Sequence, residues 1–297
     1  MGGLARTMTE VRPLRSVALP AYRLGARAMV FGSGPRVLVN GMPKTGTHLV
    51  ATLLRSFPGV RFSGRHHALR EFEAARTRSG SLGESWDLDW DRLRKALAGV
   101  NRGQFMTAHF APVPRLIAML GELDFRTIAV LRDPRDVAVS SAFYITSHPR
   151  HFLHRRFNTE LTSTGERLMA VIRGLPPTDE HRGLGDVGSR IERYRPWLER
   201  PDVYICRFES LVGPRGGGDG AAQRQTIHGI ADAIEKPLSE RDVTSLVDKV
   251  WSPSSATFRK GAIGDWRNHF GEEHRAAFKE LAGPQLIALG YERDLDW

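Results

Sequence analysis

Residues 40–48, Asn-Gly-Met-Pro-Lys-Thr-Gly-Thr-His, combine the elements of an anion site. Gly41 and Gly46 allow a tight turn whose successive N–H groups point inward. Lys44 adds a compact positive charge, and Thr45 and Thr47 add hydroxyl donors. Gly41 and Gly46 have the spacing of the G-x-x-x-x-G-K-[ST] nucleotide loop, but Thr47 and His48 replace its Lys and Ser/Thr. The lysine has moved inside the loop and the usual magnesium-holding hydroxyl is out of place, which disfavours a standard ATPase or GTPase. Taken alone, the loop is either a phosphate cradle or a structural turn whose Gly and Pro serve backbone geometry only.

Two further segments carry cationic chemistry. Arg132-Asp-Pro-Arg-Asp-Val-Ala-Val-Ser140 places a guanidinium suited to a phosphate two helical turns before a hydroxyl. Thr257-Phe-Arg-Lys-Gly-Ala-Ile-Gly-Asp-Trp266 sets Arg259 and Lys260 beside Gly261, where backbone can wrap an anion. An ion-pair cluster and a cationic surface turn are the structural alternatives. Eleven histidines compete for acid–base work. His109 ends a short apolar run, and a neutral imidazole accepts a proton near physiological pH. His48 sits in the loop itself. His66, His67, His148, His151 and His154 are read as surface or acceptor-pocket residues.

These groups need a scaffold that brings distant segments together. Arg36-Val-Leu-Val-Asn40, Phe125–Leu131 and Val203–Phe208 read as buried strands. Residues 47–57 and 134–144 read as helices that follow the first two, and 227–234 as another. Such alternation predicts an α/β, P-loop-like three-layer fold, with a central parallel sheet flanked by helices. Ligands of open α/β sheets bind at the carboxyl ends of strands, where Asn40 and Arg132 stand. Residues 147–200 read as covering loops with one clear helix near 166–173. Residues 213–220 form a glycine-rich connection.

The three segments, in this order, resemble the sulfotransferases that use 3′-phosphoadenosine-5′-phosphosulfate (PAPS), above all the cytosolic-type and bacterial branch. The resemblance spans residues 37–270 and implies transfer of a sulfuryl group to an acceptor hydroxyl or amine. PAPS would be the co-substrate, with no metal. It implies that Pro43, Lys44, Thr45, Gly46, Thr47 and His48 hold the 5′-phosphosulfate. Arg132, Ser140, Arg259, Lys260 and Gly261 would hold the 3′-phosphate, and Phe208 would lie near the adenine. His109 would be the catalytic base, with Lys44 the catalytic cation. The chain departs from that pattern in three places: Leu49 stands where many members have an adenine-stacking Trp, Thr107 where they have a Lys, and Gly271-Glu272 where a dimer-forming Thr-Val pair occurs. A small-molecule kinase and a non-catalytic anion- or membrane-docking module are the competing readings.

Length and composition fit a chain of this kind. The 297 residues, 41% hydrophobic, are divided into a basic segment 1–35 and a single domain 36–297. Net charge is +10, and six arginines fall within residues 1–36. That excess suits anionic ligands and a weak contact of the N-terminal segment with acidic membrane. Aromatic residues do not interleave with the basic ones, so nucleic acid is not expected as a partner. Cys206 is the sole cysteine, which excludes intramolecular disulfides. With no apolar span and no secretory pattern, a cytoplasmic location is expected. The acceptor is a small alcohol or phenol, a glycolipid or a carbohydrate. Arg150, Arg155 and Arg156 hint at an anionic or sugar-like one.

Overall fold

The computed structural model describes residues 34–73, 87–178, 183–250 and 261–297. Its elements run β1 (Arg36–Asn40), α1 (Thr47–Leu54), β2 (Arg61–Ala68), α2 (Trp90–Ala98), β3 (Gln104–His109), α3 (Pro114–Glu122), β4 (Phe125–Leu131) and α4 (Pro134–Ser147). Then follow α5 (His154–Thr159), α6 (Thr164–Arg173), α7 (Val187–Tyr194), β5 (Val203–Arg207), α8 (Phe208–Val212), α9 (Gly220–Ala233), α10 (Glu240–Val250) and α11 (Glu272–Ala288). The basic segment assigned to residues 1–35 lies outside the described residues up to position 33, as do Arg259 and Lys260.

The strands form one parallel sheet in the order β2-β3-β1-β4-β5. Alternation along the strands gives the sheet two apolar faces. Val37, Val39, Phe105, Ile128, Val130 and Cys206 pack with α1, α9 and α10. Leu38, Met106, Ala108 and Ala129 turn the other way, against α2 and α3. The expected three-layer α/β arrangement is the one observed. A further cluster joins α4, α6, α7 and α11 through Leu168, Ile191, Trp266, Phe278 and Leu286. Among the described residues, no helix is long and apolar enough to cross a membrane.

The register shows why the site lies where it does. Asn40 pairs with Ala108 of β3 on one side and Ala129 of β4 on the other. The three carboxyl ends carrying the loop, His109 and Arg132 are therefore adjacent. Sequence differs from structure in places with physical reasons. Strand β2 (RFSGRHHA) is an edge strand with a register irregularity between Phe62 and His66, so its polar composition hides it. Residues 147–200 hold α5, α6 and α7 rather than one clear helix. Helix α7 is short and arginine-bearing, yet it buries Val187 and Ile191 and is capped by Asp186, which accepts from Ser189 N. Phe208, read as the end of a strand, opens α8 instead.

Candidate active site

The loop between β1 and α1 is held by its own residues. Thr45 donates both its N–H and its hydroxyl to the Met42 carbonyl, at 3.2 and 2.8 Å. The Thr45 side chain, 2% exposed, thus holds the turn in this structure rather than projecting outward. Lys44 takes a left-handed φ of 76° and Gly46 one of 106°. Such a backbone is costly for a lysine and free for a glycine. A Cβ at Gly46 would fall 2.7 Å from Phe208 Cδ2, so the first residue of α8 closes against the loop only because residue 46 has no side chain. Gly46 is the N-cap of α1 and no side chain caps that end, leaving first-turn N–H groups and the helix dipole directed at the loop.

His109 is tied to this loop. Its Nδ1 lies 2.7 Å from the Gly41 carbonyl oxygen. A carbonyl only accepts, so Nδ1 carries the proton and Nε2 presents a lone pair. Burial lowers the pKa of His109 to about 3, and the nearby His66, His48 and Lys44 push in the same direction. The ring is therefore neutral and held in one tautomer. Its position is fixed from below by Asn40, which is fully buried. Asn40 Nδ2 donates to the Phe110 carbonyl at 2.9 Å, and Asn40 Oδ1 accepts from Phe110 N at 2.8 Å. Trp197 Nε1 donates to the same carbonyl at 2.7 Å, and Tyr194 OH donates to the His109 carbonyl at 3.3 Å.

The second and third cationic segments meet beside Phe208. The Arg132 guanidinium, 7% exposed, lies 4.2 Å from the Phe208 ring centroid and donates to the Ala262 carbonyl at 3.0 Å. Asp136, four residues on, accepts from Gly264 N at 2.8 Å and Trp266 N at 2.9 Å. Burial raises its pKa, while Arg132 and those two N–H groups oppose the rise. Ile263 N donates to the Gly216 carbonyl at 3.0 Å, so the glycine-rich connection receives the 261–264 backbone. The other members of the RDPRD run are architectural. Arg135 is buried between Trp266 and Trp297, 4.1 and 4.5 Å from their ring centroids, and pairs with Asp133 at 2.8 Å and with Glu292.

The structure therefore brings residues 43–48, His109, Arg132, Phe208 and Gly261 to one end of the sheet. Ser140 lies half-buried on α4, two turns beyond Arg132. Pro43 and His48 are exposed at the loop's rim. Tyr144 and Asp136 were not singled out in the sequence, and the contacts of Asn40 and His66 were not legible there. Asn40 gave one signal, an amide closing an otherwise apolar strand. Tyr144 sits one turn beyond Ser140, and Lys44 Nζ lies 4.0 Å from its ring centroid. Asp136 lies in the first turn of α4, within the run whose structural alternative was an ion-pair cluster. His66 Nδ1 lies 2.9 Å from Thr107 Oγ1, so the threonine at the expected lysine position binds a histidine, and the two histidine rings, His66 and His109, meet edge-on at 5.0 Å. Leu49 packs against the first core cluster. Gly271 and Glu272 begin α11, where Gly271 N donates to His274 Nδ1 at 3.1 Å.

Comparison with known proteins gives the same reading. Residues 34–169 match the model of the sulfotransferase domain. Sulfotransferase 6B1 of Danio rerio is 24% identical over 186 residues, which is 55% of this chain and 54% of that protein. The chain thus spans about half the length of this curated relative. Mouse sulfotransferase SULT7A1, solved with PAP, superposes with a TM-score of 0.58 at 14% identity, covering 91% of this chain and 92% of that one. Retinol dehydratase, solved with androsterone and inactive cofactor PAP, gives 0.54 at 18% identity, covering 90% and 85%. Both structural likenesses concern the fold. With the loop and the strand-end histidine inside the matched stretch, residues 34–169 of the chain are similar to the sulfotransferase domain.

Proposed function

We propose that the protein transfers the sulfuryl group of PAPS to an acceptor hydroxyl or amine by in-line displacement. The observation that carries this reading is the bond between His109 Nδ1 and the Gly41 carbonyl. It joins the base to the anion-binding loop and leaves Nε2 as the proton acceptor. In the reaction the acceptor oxygen forms a bond to sulfur, its proton goes to His109 Nε2, and the bond from sulfur to the 5′-phosphate oxygen breaks. Lys44 and the α1 N–H groups face the charge that develops on the leaving phosphate. They supply the neutralisation that a bridging metal gives in phosphoryl transfer, so the reading needs no metal. Arg132, Ser140 and Gly261, with Arg259 and Lys260, are assigned to the 3′-phosphate. Phe208, packed between Gly46 and Arg132, is assigned to the adenine edge. The chain is taken as one catalytic domain from residue 36, acting in the cytoplasm on a small-molecule, glycan or lipid acceptor.

Thermal shift with PAP, ADP and ATP tests the donor, and radiolabelled PAPS with a broad metabolite extract tests the transfer. PAP is expected to stabilise the protein more than ATP does. Label is expected in an acceptor with wild type, and not with Lys44→Ala or His109→Ala. Stabilisation by ATP with none by PAP would instead favour a kinase, and no label transfer across the extract would remove the enzymatic reading.

A further inference from the structure

From the loop lysine leads a row of side chains to which the proposed chemistry assigns no part. Beyond Lys44 Nζ, the Tyr144 ring stacks with His148 at 3.9 Å and meets His151 edge-on at 5.9 Å. His151 in turn stacks on Phe152 at 4.7 Å, and the Arg70 guanidinium lies 5.6 Å from the Phe152 ring centroid. These groups come from separate parts of the chain. Lys44 is in the β1–α1 loop and Tyr144 on α4. His151 and Phe152 lie in the turn before α5, and Arg70 in the 3-10 turn Leu69–Phe72 after β2. Only the fold assembles them.

Electrostatics tie Arg70 to the reacting end. Burial, with Arg70, His148, His154 and Lys44 close by, lowers the pKa of His151 to about 4. His151 is therefore a neutral ring among cations at physiological pH. Burial raises the Tyr194 phenol to about 12 against the pull of Arg193 and Arg70, and that hydroxyl donates to the carbonyl of His109. Arg70 is exposed and makes no ion pair or side-chain hydrogen bond among the described residues. The carboxylate next to it in sequence, Glu71, is directed elsewhere, to His67 Nδ1 at 2.8 Å and Ala68 N at 3.0 Å. Of the arginines singled out in the sequence, Arg156 is buried and spent on Glu160 and the Pro176 carbonyl.

A row of uncharged rings ending in a guanidinium suits a flat or CH-rich body with an anionic end. We infer that Arg70 closes an acceptor subsite. Its ligand places the reacting hydroxyl between Lys44 and His109, lays a ring along Tyr144, His151 and Phe152, and sets a carboxylate, sulfate or phosphate on Arg70. This assignment rests on the sulfuryl-transfer reading above and specifies its acceptor.

Two matched probe pairs test it: phenol against 4-hydroxybenzoate, and methyl glucoside against methyl glucuronide. Each is assayed for label transfer from PAPS, and for binding to the PAP-loaded protein by calorimetry. In at least one pair the anionic member is expected to have the higher kcat/KM, by about 10-fold or more. Arg70→Ala should erase that preference through KM with kcat nearly unchanged, and should leave the neutral member within about twofold. Arg70→Lys should keep part of the preference. Because Arg70 is exposed, both variants are expected to keep the wild-type melting temperature. Neutral members equal or better in both pairs would overturn the subsite. So would equal losses for both members in Arg70→Ala, or anionic probes that neither react nor bind. If the anionic probe binds the protein without PAP and loses that binding in Arg70→Ala, while PAP gives no thermal shift, the subsite stands and the sulfuryl-transfer reading falls.

Discussion

Replacing His109 with glutamine should change how stability depends on pH by a calculable amount. In the folded protein the His109 pKa is lowered from 6.5 to about 3, chiefly by burial. In the unfolded chain it returns to the ordinary value. Between these two values the unfolded state binds a proton that the folded state refuses. Stability therefore falls as pH drops through about 6.5, and continues to fall until the ring charges in the folded state near 3. One pKa unit corresponds to about 1.4 kcal/mol, so the accumulated loss at pH 5.0 is about 2 kcal/mol. His151, lowered to about 4, acts with the same sign but is present in both proteins. The difference in unfolding free energy between wild type and His109→Gln should thus shift by about 2 kcal/mol between pH 7.5 and 5.0. Urea unfolding across that range measures it, with equal m-values confirming the comparison. A difference that stays constant within about 0.5 kcal/mol would refute the reasoning, as would an NMR titration placing His109 near its ordinary value. Bound PAP, being anionic, should favour the charged ring and shrink the shift.

Three more outcomes follow from the geometry. Gly46→Ala meets both the φ of 106° and the 2.7 Å approach of Phe208, so it should cost about 1–3 kcal/mol of stability and weaken PAP binding. In the double variant, Phe208→Ala should relieve the clash but not the backbone strain, which calorimetric melting and PAP titration would separate. Asp136→Leu leaves the Gly264 and Trp266 N–H groups without their acceptor and should lower stability by about 2–5 kcal/mol, read by urea denaturation. Tyr144→Leu removes the ring beneath Lys44 Nζ. It should lower kcat by about 10-fold while PAP affinity changes less, since the ring orients the lysine and is assigned no donor contact.

Much of the site was legible in residue types at short range. A strand, a glycine-punctuated loop and a helix N-terminus follow one another within residues 36–54, so local geometry alone sets N–H groups around Lys44. The RDP run at the end of β4 was legible for the same reason. Its four charges were not, because one sequence pattern serves two purposes: Arg132 faces the site, whereas Arg135 is buried between two tryptophans. The edge strand β2 was hidden by its polarity, and α7 by its arginines.

What the sequence determined by itself is the chemistry available: a displaced loop lysine, strand-end histidine and arginine, and alternating elements that require a parallel sheet. What only tertiary structure decided is how one of eleven histidines, His109, is held and in what protonation state. Parallel pairing brings the ends of β1, β3 and β4 together, and Asn40 then locks Phe110 beside the loop. A carbonyl that can only accept fixes the His109 tautomer, and burial keeps the ring neutral. Those effects depend on partners 68 and 70 residues away along the chain, and no local pattern encodes a distance of that kind.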